Sequence, residues 1–376
     1  MKIVIAIDSF KGSMTSIEAG SAAAKGILKA HPDAEIVVKP LADGGEGTTD
    51  ALIEGLGGER VNVTVSGPLG GKIEAYYGLI ADKNIAVLEM ASAAGLTLSK
   101  GRNPLCASTY GVGEMISDAL CRGIRNFIIG IGGSATNDGG TGMLKALGWR
   151  FLRSDGSEAG MGAGSLSEID TIRMPDEKCM SLLSECSFQV ACDVKNPLCG
   201  PLGATYIYGP QKGIVSEDVK ERTDKAMAHF ADVSAALTGR DLRDVPGTGA
   251  AGGLGFAFLS YLNAKLTPGV DLILDAVGLE DELKDADIVV TGEGRIDAQT
   301  AMGKAPAGVA ALAKKHRVKV VAFAGSLTED AGKCNDAGMD AIFPIVRGVT
   351  TLSEAMDPQN ARKNMTLASE QVFRLL

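Results

Sequence analysis

The same unit is written at both ends of this chain: a short β-branched run, a polar loop dense in glycine and carboxylates, then a helix. At the start, residues 2–7 (KIVIAI) read as a buried strand that opens into Asp8-Ser9-Phe10-Lys11-Gly12-Ser13. Thr15 with Glu18 three residues later forms a capping box, and the helix it starts runs to about residue 30. Residues 35–39 make a second strand, which leads into Ala42-Asp43-Gly44-Gly45-Glu46-Gly47-Thr48. Near the far end, residues 286–290 read as a strand opening into Thr291-Gly292-Glu293-Gly294-Arg295-Ile296-Asp297. A helix over about 303–315 follows, then strands at 318–324 and around 341–346, and a final helix after residue 358. Strand, helix, strand is the unit from which parallel sheets are built. Both chain ends are therefore expected to share one sheet.

The middle of the chain has a different grammar. Close-set strands at 61–65, 73–80 and 85–90, joined by glycine-rich turns, suit hairpins or a mixed sheet. Later strands are read at 126–131, 188–192 and 204–207, and a long charged helix at about 216–237. The expected fold class is α/β. A Rossmann-like parallel-sheet domain is formed from residues 1–61 plus 285–376, and a second α/β domain with a mixed sheet is inserted at 62–284.

Composition narrows the function. The chain has 49 glycines in 376 residues, well above the usual share of roughly 7%. They cluster in loops, where the backbone must turn sharply or approach a ligand. The net charge is −9 and no basic block stands out, which argues against a nucleic-acid partner. Seven cysteines without a Cys-x-x-Cys pair argue against a disulfide framework and a structural zinc site. MKIVIAIDSF lacks the features of a secretory leader, and the uncharged run 245–264 carries too many glycines and polar residues for a membrane span. The expected location is the cytoplasm.

Two further polar loops follow strands in the middle of the chain. Gly130-Ile131-Gly132-Gly133-Ser134-Ala135-Thr136-Asn137-Asp138-Gly139-Gly140-Thr141-Gly142 is hard to explain by packing, because glycine loses the most entropy on folding; it offers many backbone N–H groups to an oxyanion. Asp193-Val194-Lys195-Asn196-Pro197-Leu198 offers a carboxylate for metal or proton, an ammonium for phosphate, and a second ligand in Asn196. Each loop also has a plainer reading, as a turn with solvated charges. No Gly-x-x-x-x-Gly-Lys-[Ser/Thr] occurs. Gly247-Thr248-Gly249-Ala250-Ala251-Gly252 matches a dinucleotide fingerprint but lacks a strand ahead of it. His31, His229 and His316 fall on or beside helices, away from all five loops. Asp, Glu, Lys, Arg and backbone amides remain, the set that phosphoryl transfer needs.

Taken in order, the five loops resemble the motifs of the bacterial glycerate kinases of the type I family, from the first residue to at least Val346. The resemblance implies ATP and Mg2+ as cofactors and D-glycerate as acceptor. It further implies 2-phosphoglycerate as product in preference to 3-phosphoglycerate, a place in glycerate/glyoxylate or sugar-acid catabolism, and the inserted domain facing the other across a cleft. Within that reading Asp193 orients the substrate hydroxyl and accepts its proton, while Lys11, Lys195 and Arg295 neutralise phosphate or carboxylate. Ser9, Asn196, Lys304 and the loop residues Gly132, Gly133, Ser134, Thr136, Asn137, Gly139 and Gly140 are expected to bind phosphate or acceptor. Asp8, Asp43, Glu46, Glu293 and Asp297 are the metal candidates. The expected partner is a small molecule, with neither nucleic acid nor membrane, and a homodimer is the one assembly considered. The rival functions are a nicotinamide-dependent hydroxy-acid oxidoreductase, which shares the substrate class, and a non-catalytic anion-binding protein.

Overall fold

The computed structural model describes residues 1–42, 44–45, 47–99 and 103–376. Its first strand, β1 (Lys2–Ile7), is buried on both faces from Ile3 onward, as a central strand of a covered parallel sheet must be. In chain order β2 (Glu35–Pro40), β3 (Glu59–Ser66), β4 (Lys72–Ile80), β5 (Ile85–Glu89), β6 (Asn126–Gly130), β7 (Arg150–Leu152) and β8 (Thr171–Arg173) follow. Then come β9 (Ser187–Ala191), β10 (Lys265–Thr267), β11 (Ile288–Ile296), β12 (Lys319–Leu327) and β13 (Ala341–Pro344).

Packing divides the chain into two units. The first holds Met1–Asp43, Asp50–Gly57 and Val270–Leu376, and the second Gly44–Thr49 and Gly58–Gly269. The sequence placed its borders at 61/62 and 284/285. In the structure β3 starts at Glu59 and pairs with β4, while Val270 and Leu274 pack under Gly308 of the Ala305–His316 helix.

In the first unit five parallel strands lie in the order β13-β12-β11-β1-β2. Ile3 pairs with Ile288 and Ile7 with Gly292, so both chain ends do share one sheet. Its Ile3, Ile5, Ile7 face packs on the Ser16–Ala30 and Pro358–Phe373 helices through Ala19, Ala23, Met365 and Phe373. The capping box is formed as expected: Glu18 N–H donates to Thr15 Oγ1 at 3.2 Å and Thr15 N–H to Glu18 Oε2 at 2.9 Å.

In the second unit six strands lie in the order β10-β9-β6-β5-β4-β3. The pairs from β10 to β5 are parallel, and β4 pairs antiparallel with β5 and with β3, which makes the sheet mixed. Its core holds Phe127 stacked on Phe188 at 4.9 Å, with Phe230, Phe256 and Phe258 around them.

Two local expectations need correction. Residues 204–207 are not a strand but the start of the Ala204–Lys212 helix, whose Thr205 and Lys212 side chains bond to neighbouring loops. Residues 291–296 are not a loop: β11 runs on to Ile296, with Arg295 in register with Ser326 of a longer β12. Among the described residues no helix is long and apolar enough to cross a membrane.

Candidate active site

In the first sheet β1 connects outward to β2 on one side, and β11 connects to β12 on the other. The winding therefore reverses between β1 and β11. Loops leaving the two strands diverge there and open a crevice at the carboxyl edge, where ligands of open α/β sheets bind. Asp8 and Glu293 stand at that edge. A cavity of about 790 Å³ opens beside them.

Three cations and three carboxylates line it: Lys11, Arg295 and Lys304 with Asp8, Glu293 and Asp297, and Ser9 lies among them. Phe10, Ile345, Leu352 and Met356 add an apolar wall. The carboxylates are held individually. Asp8 is nearly buried and its Oδ1 accepts from Ser9 N–H at 2.6 Å. Glu293 Oε1 accepts from Thr300 Oγ1 at 2.5 Å. Asp297 Oδ1 accepts from Gln299 N–H at 2.9 Å, a turn that fixes the chain after β11. Lys304 Nζ lies 3.8 Å from Glu293 and 3.9 Å from Asp297, and Arg295 Nε lies 3.7 Å from Asp297. These are loose contacts, too long for hydrogen bonds, so both cations can turn to an incoming anion.

The second unit presents a separate set at the carboxyl ends of β5, β6 and β9: Glu89, the Gly132–Gly133 pair and Asp193. Gly132, Gly133 and Glu89 line a cavity of about 520 Å³ together with Gly44, Gly45, Thr49, Tyr76, Ser92 and Thr97. Thr49 N–H donates to Glu89 Oε1 at 2.8 Å, while the buried Thr49 Oγ1 has no hydrogen-bond partner among the described residues. Asp193 is exposed, and Gly269 N–H holds its Oδ1 at 2.8 Å; Lys195 is exposed as well. The amide of Asn196 is committed to the fold, donating to Leu202 O at 2.8 Å and accepting from Tyr208 OH at 2.6 Å.

The long glycine loop divides in two. Gly132 and Gly133 line the cavity; Ser134, Thr136, Asn137, Gly139 and Gly140, expected from the sequence to bind phosphate or acceptor, do not. Ser134, Thr136 and Asn137 are buried, and Asn137 Nδ2 donates to Thr205 Oγ1 at 3.0 Å. Gly139 and Gly140 have φ of 63° and 78°, and a Cβ there would lie 2.9 Å from the Phe230 ring and 2.4 Å from Ala257. Close packing and a left-handed backbone explain these two glycines. Asp138 is fully buried and accepts from Thr109 N–H, Thr109 Oγ1, Gly140 N–H and Gly142 N–H. Burial pushes its carboxyl above the usual range, against the pull of those four donors. Burial likewise lowers the Lys212 ammonium to about 7, with Asp138 opposing.

Of the other expected residues, Asp43 and Glu46 lie outside the described residues. The Gly247–Gly252 segment has no strand before it, and Gly247 N–H bonds to Asn196 O, which leaves the dinucleotide reading without its context. His31 and His229 bond to the carbonyls of Phe373 and Ile169, and His316 to Glu280; none lines either cavity.

Among the described residues no cluster of three or more metal-ligating side chains occurs. A nucleotide-bound magnesium ion does not require one, since one or two carboxylates plus phosphate oxygens complete its shell. Glu293 and Asp297, both near Lys304, fit that requirement. The sequence reading missed Glu89, Thr49 and Lys212. Glu89 carried the signal already used for Asp8, a carboxylate closing an apolar strand. A threonine behind a glycine run and a lone helical lysine carried none.

A family model described as the glycerate kinase family matches residues 3–376. The chain is 47% identical over 374 residues to a glycerate kinase of Halalkalibacterium halodurans, with 98% of each chain covered. It is 44% identical over 380 residues to the glycerate 2-kinase of Escherichia coli K12, covering 100% of this chain and 98% of that one. A crystal structure assigned as glycerate kinase 2 from Salmonella typhimurium LT2 matches with a TM-score of 0.90 at 43% identity, covering 99% of this chain and 97% of that one.

Proposed function

The chain belongs to the glycerate kinase family, and from that premise we propose that it transfers the γ-phosphoryl group of ATP to the 2-hydroxyl of D-glycerate, with magnesium on the nucleotide. The observation that supports this most is the interleaving of Lys11, Arg295 and Lys304 with Asp8, Glu293 and Asp297 around one cavity at the switch point of a parallel sheet. Phosphoryl transfer spreads charge over the equatorial oxygens of a loose transition state, and catalysis rests on placing positive groups around it.

In this reading Lys11, Arg295 and Lys304 hold phosphate oxygens or the glycerate carboxylate, and Arg295 offers two parallel N–H donors to either. Glu293 and Asp297, with Asp8 beside them, would hold the metal, whose positive charge would offset that of the phosphates. Gly132 and Gly133 supply backbone N–H groups to a second anionic group. Asp193, whose Oδ1 accepts from Gly269 N–H at 2.8 Å, is exposed after β9 and would accept the hydroxyl proton. Asn196 orders its own loop in support of Asp193 and Lys195. The preference for the 2-hydroxyl draws on the name of the Escherichia coli relative.

The test is incubation of the purified chain with D-glycerate and either MgATP or NAD+. The reading expects ADP with ATP and no NADH with NAD+. NADH formation, or no turnover with either, would contradict it.

A further inference from the structure

Lys212 ends the Ala204–Lys212 helix, is 2% exposed, and lines neither cavity. Its Nζ donates to Ser134 Oγ at 2.7 Å and to Thr136 O at 2.6 Å. Thr205, seven residues earlier and so on the same helix face, accepts from Asn137 Nδ2. One helix therefore holds three positions of the glycine loop, Ser134, Thr136 and Asn137.

The other edge of the loop is stitched to the wall of the second-unit cavity. Leu96 N–H donates to Gly133 O at 2.9 Å, and Ala135 N–H to Ala94 O at 2.9 Å. Leu96 and Gly133 both line that cavity. Gly132 has open space where a side chain would project, so no side-chain packing at that position helps to hold this Gly132–Gly133 arm.

Packing alone does not explain a lysine here. Burying an ammonium group is strongly unfavourable unless its N–H groups find acceptors, and an apolar side chain of similar length would fill the space without that penalty. What the amino group supplies, charged or neutral, is directional: two N–H donors aimed at a hydroxyl and a carbonyl two residues apart.

We propose that Lys212 is a positioning residue of the second-unit cavity, holding Ser134 and Thr136 so that Gly132 and Gly133 keep the geometry that receives an oxyanion of a substrate. The proposal rests on the reading above that this glycine arm meets a phosphate or carboxylate.

The experiment compares wild type, Lys212→Met, Lys212→Ala and Ser134→Ala by steady-state kinetics and by hydrogen exchange of the segment 130–141. Lys212→Met is expected to speed exchange in that segment and to lower kcat/KM by on the order of 10–100-fold, as misplacement near a reacting group does. The loss should fall in the KM for ATP or for glycerate, whichever oxyanion the arm meets. Methylammonium should restore part of the activity of Lys212→Ala, because it returns the donors without the tether. Unchanged kinetics in Lys212→Met, with or without faster exchange, would overturn the proposal. If the Lys212 variants do not fold, Ser134→Ala decides: unchanged exchange and kinetics would overturn it equally. If wild type fails to phosphorylate glycerate, the functional reading falls. The exchange data then still decide whether Lys212 holds the arm, with unchanged exchange in Lys212→Met overturning the proposal.

Discussion

The backbone N–H of Asp8 donates to the carbonyl oxygen of Gly292 at 2.8 Å. A residue from the start of the chain is thereby locked beside Glu293, which directly follows Gly292, and the two carboxylates share one sheet edge. The cavity of the first unit exists only once β1 and β11 have paired. Substitutions that part these strands are expected to lower stability and activity together.

Gly292 is the position where that coupling is most exposed to test. A Cβ there would lie 2.0 Å from the backbone carbonyl of Phe323 on β12, so the strands would have to part. Gly292→Ala is expected to lower stability by roughly 1–3 kcal/mol, as overpacking does, read from the urea midpoint, and to lose activity as Glu293 shifts. Gly294→Ala, whose Cβ would meet Phe10 at an ordinary 3.5 Å, should leave the midpoint unchanged.

Arg295 is two-thirds exposed and its contact with Asp297 is loose, so it contributes little to the fold. Arg295→Ala is expected to lower kcat by roughly 10²–10³-fold, the cost of removing one donor from a developing oxyanion, with the melting temperature unchanged. Arg295→Lys should recover only part, because an ammonium cannot bond bidentately. Full activity in Arg295→Ala would remove it from the site.

Asp193→Asn keeps the acceptor for Gly269 N–H and removes the charge. A loss of roughly 10²–10⁴-fold in kcat is expected, the usual contribution of a positioned base, with a smaller change in the KM for glycerate. A loss of less than about threefold, set against that range, would pass the role to Asp8 or Asp297.

Lys212 gives stability a pH dependence with a definite sign. Below about 7 both folded and unfolded chains carry its proton. Between there and the ordinary lysine value of 10.5 the unfolded chain holds the proton and the folded chain does not, so stability rises with pH across that window. Lys212→Met should remove this rise between pH 7 and 9. Parallel curves for wild type and variant in urea titrations would contradict the shift.

Much of this was legible in the sequence, because local physics and tertiary structure agree there. β1 could be read from KIVIAI, and the capping box from Thr15 and Glu18, since each depends on a few neighbouring residues. Asp8, Lys11, Glu293, Arg295, Asp297 and Lys304 could be picked out by chemistry, and the structure brings them to one cavity. What could not be read depends on distant partners. Thr205 and Ile207 carry strand-like side chains, yet the segment is a helix whose ends bond to Asn137, Ser134 and Thr136. Arg295 reads as a loop residue among glycines, but a longer β12 extends the ladder beneath it. In the glycine loop, one composition covers two roles: Gly132 and Gly133 reach a cavity, whereas Gly139 and Gly140 are set by Phe230 and Ala257.

This chain is expected to phosphorylate D-glycerate at its 2-hydroxyl. Phosphorus NMR of a reaction containing D-glycerate, ATP and magnesium tests it most directly, because activity and the site of transfer are read from one spectrum. The expected result is a single phosphomonoester resonance whose coupling to one carbon-bound proton identifies 2-phosphoglycerate, lost in excess chelator and restored by magnesium. Coupling to two methylene protons, the mark of 3-phosphoglycerate, would contradict the assignment of the hydroxyl. ATP left unconsumed in the presence of D-glycerate and magnesium would contradict the account as a whole.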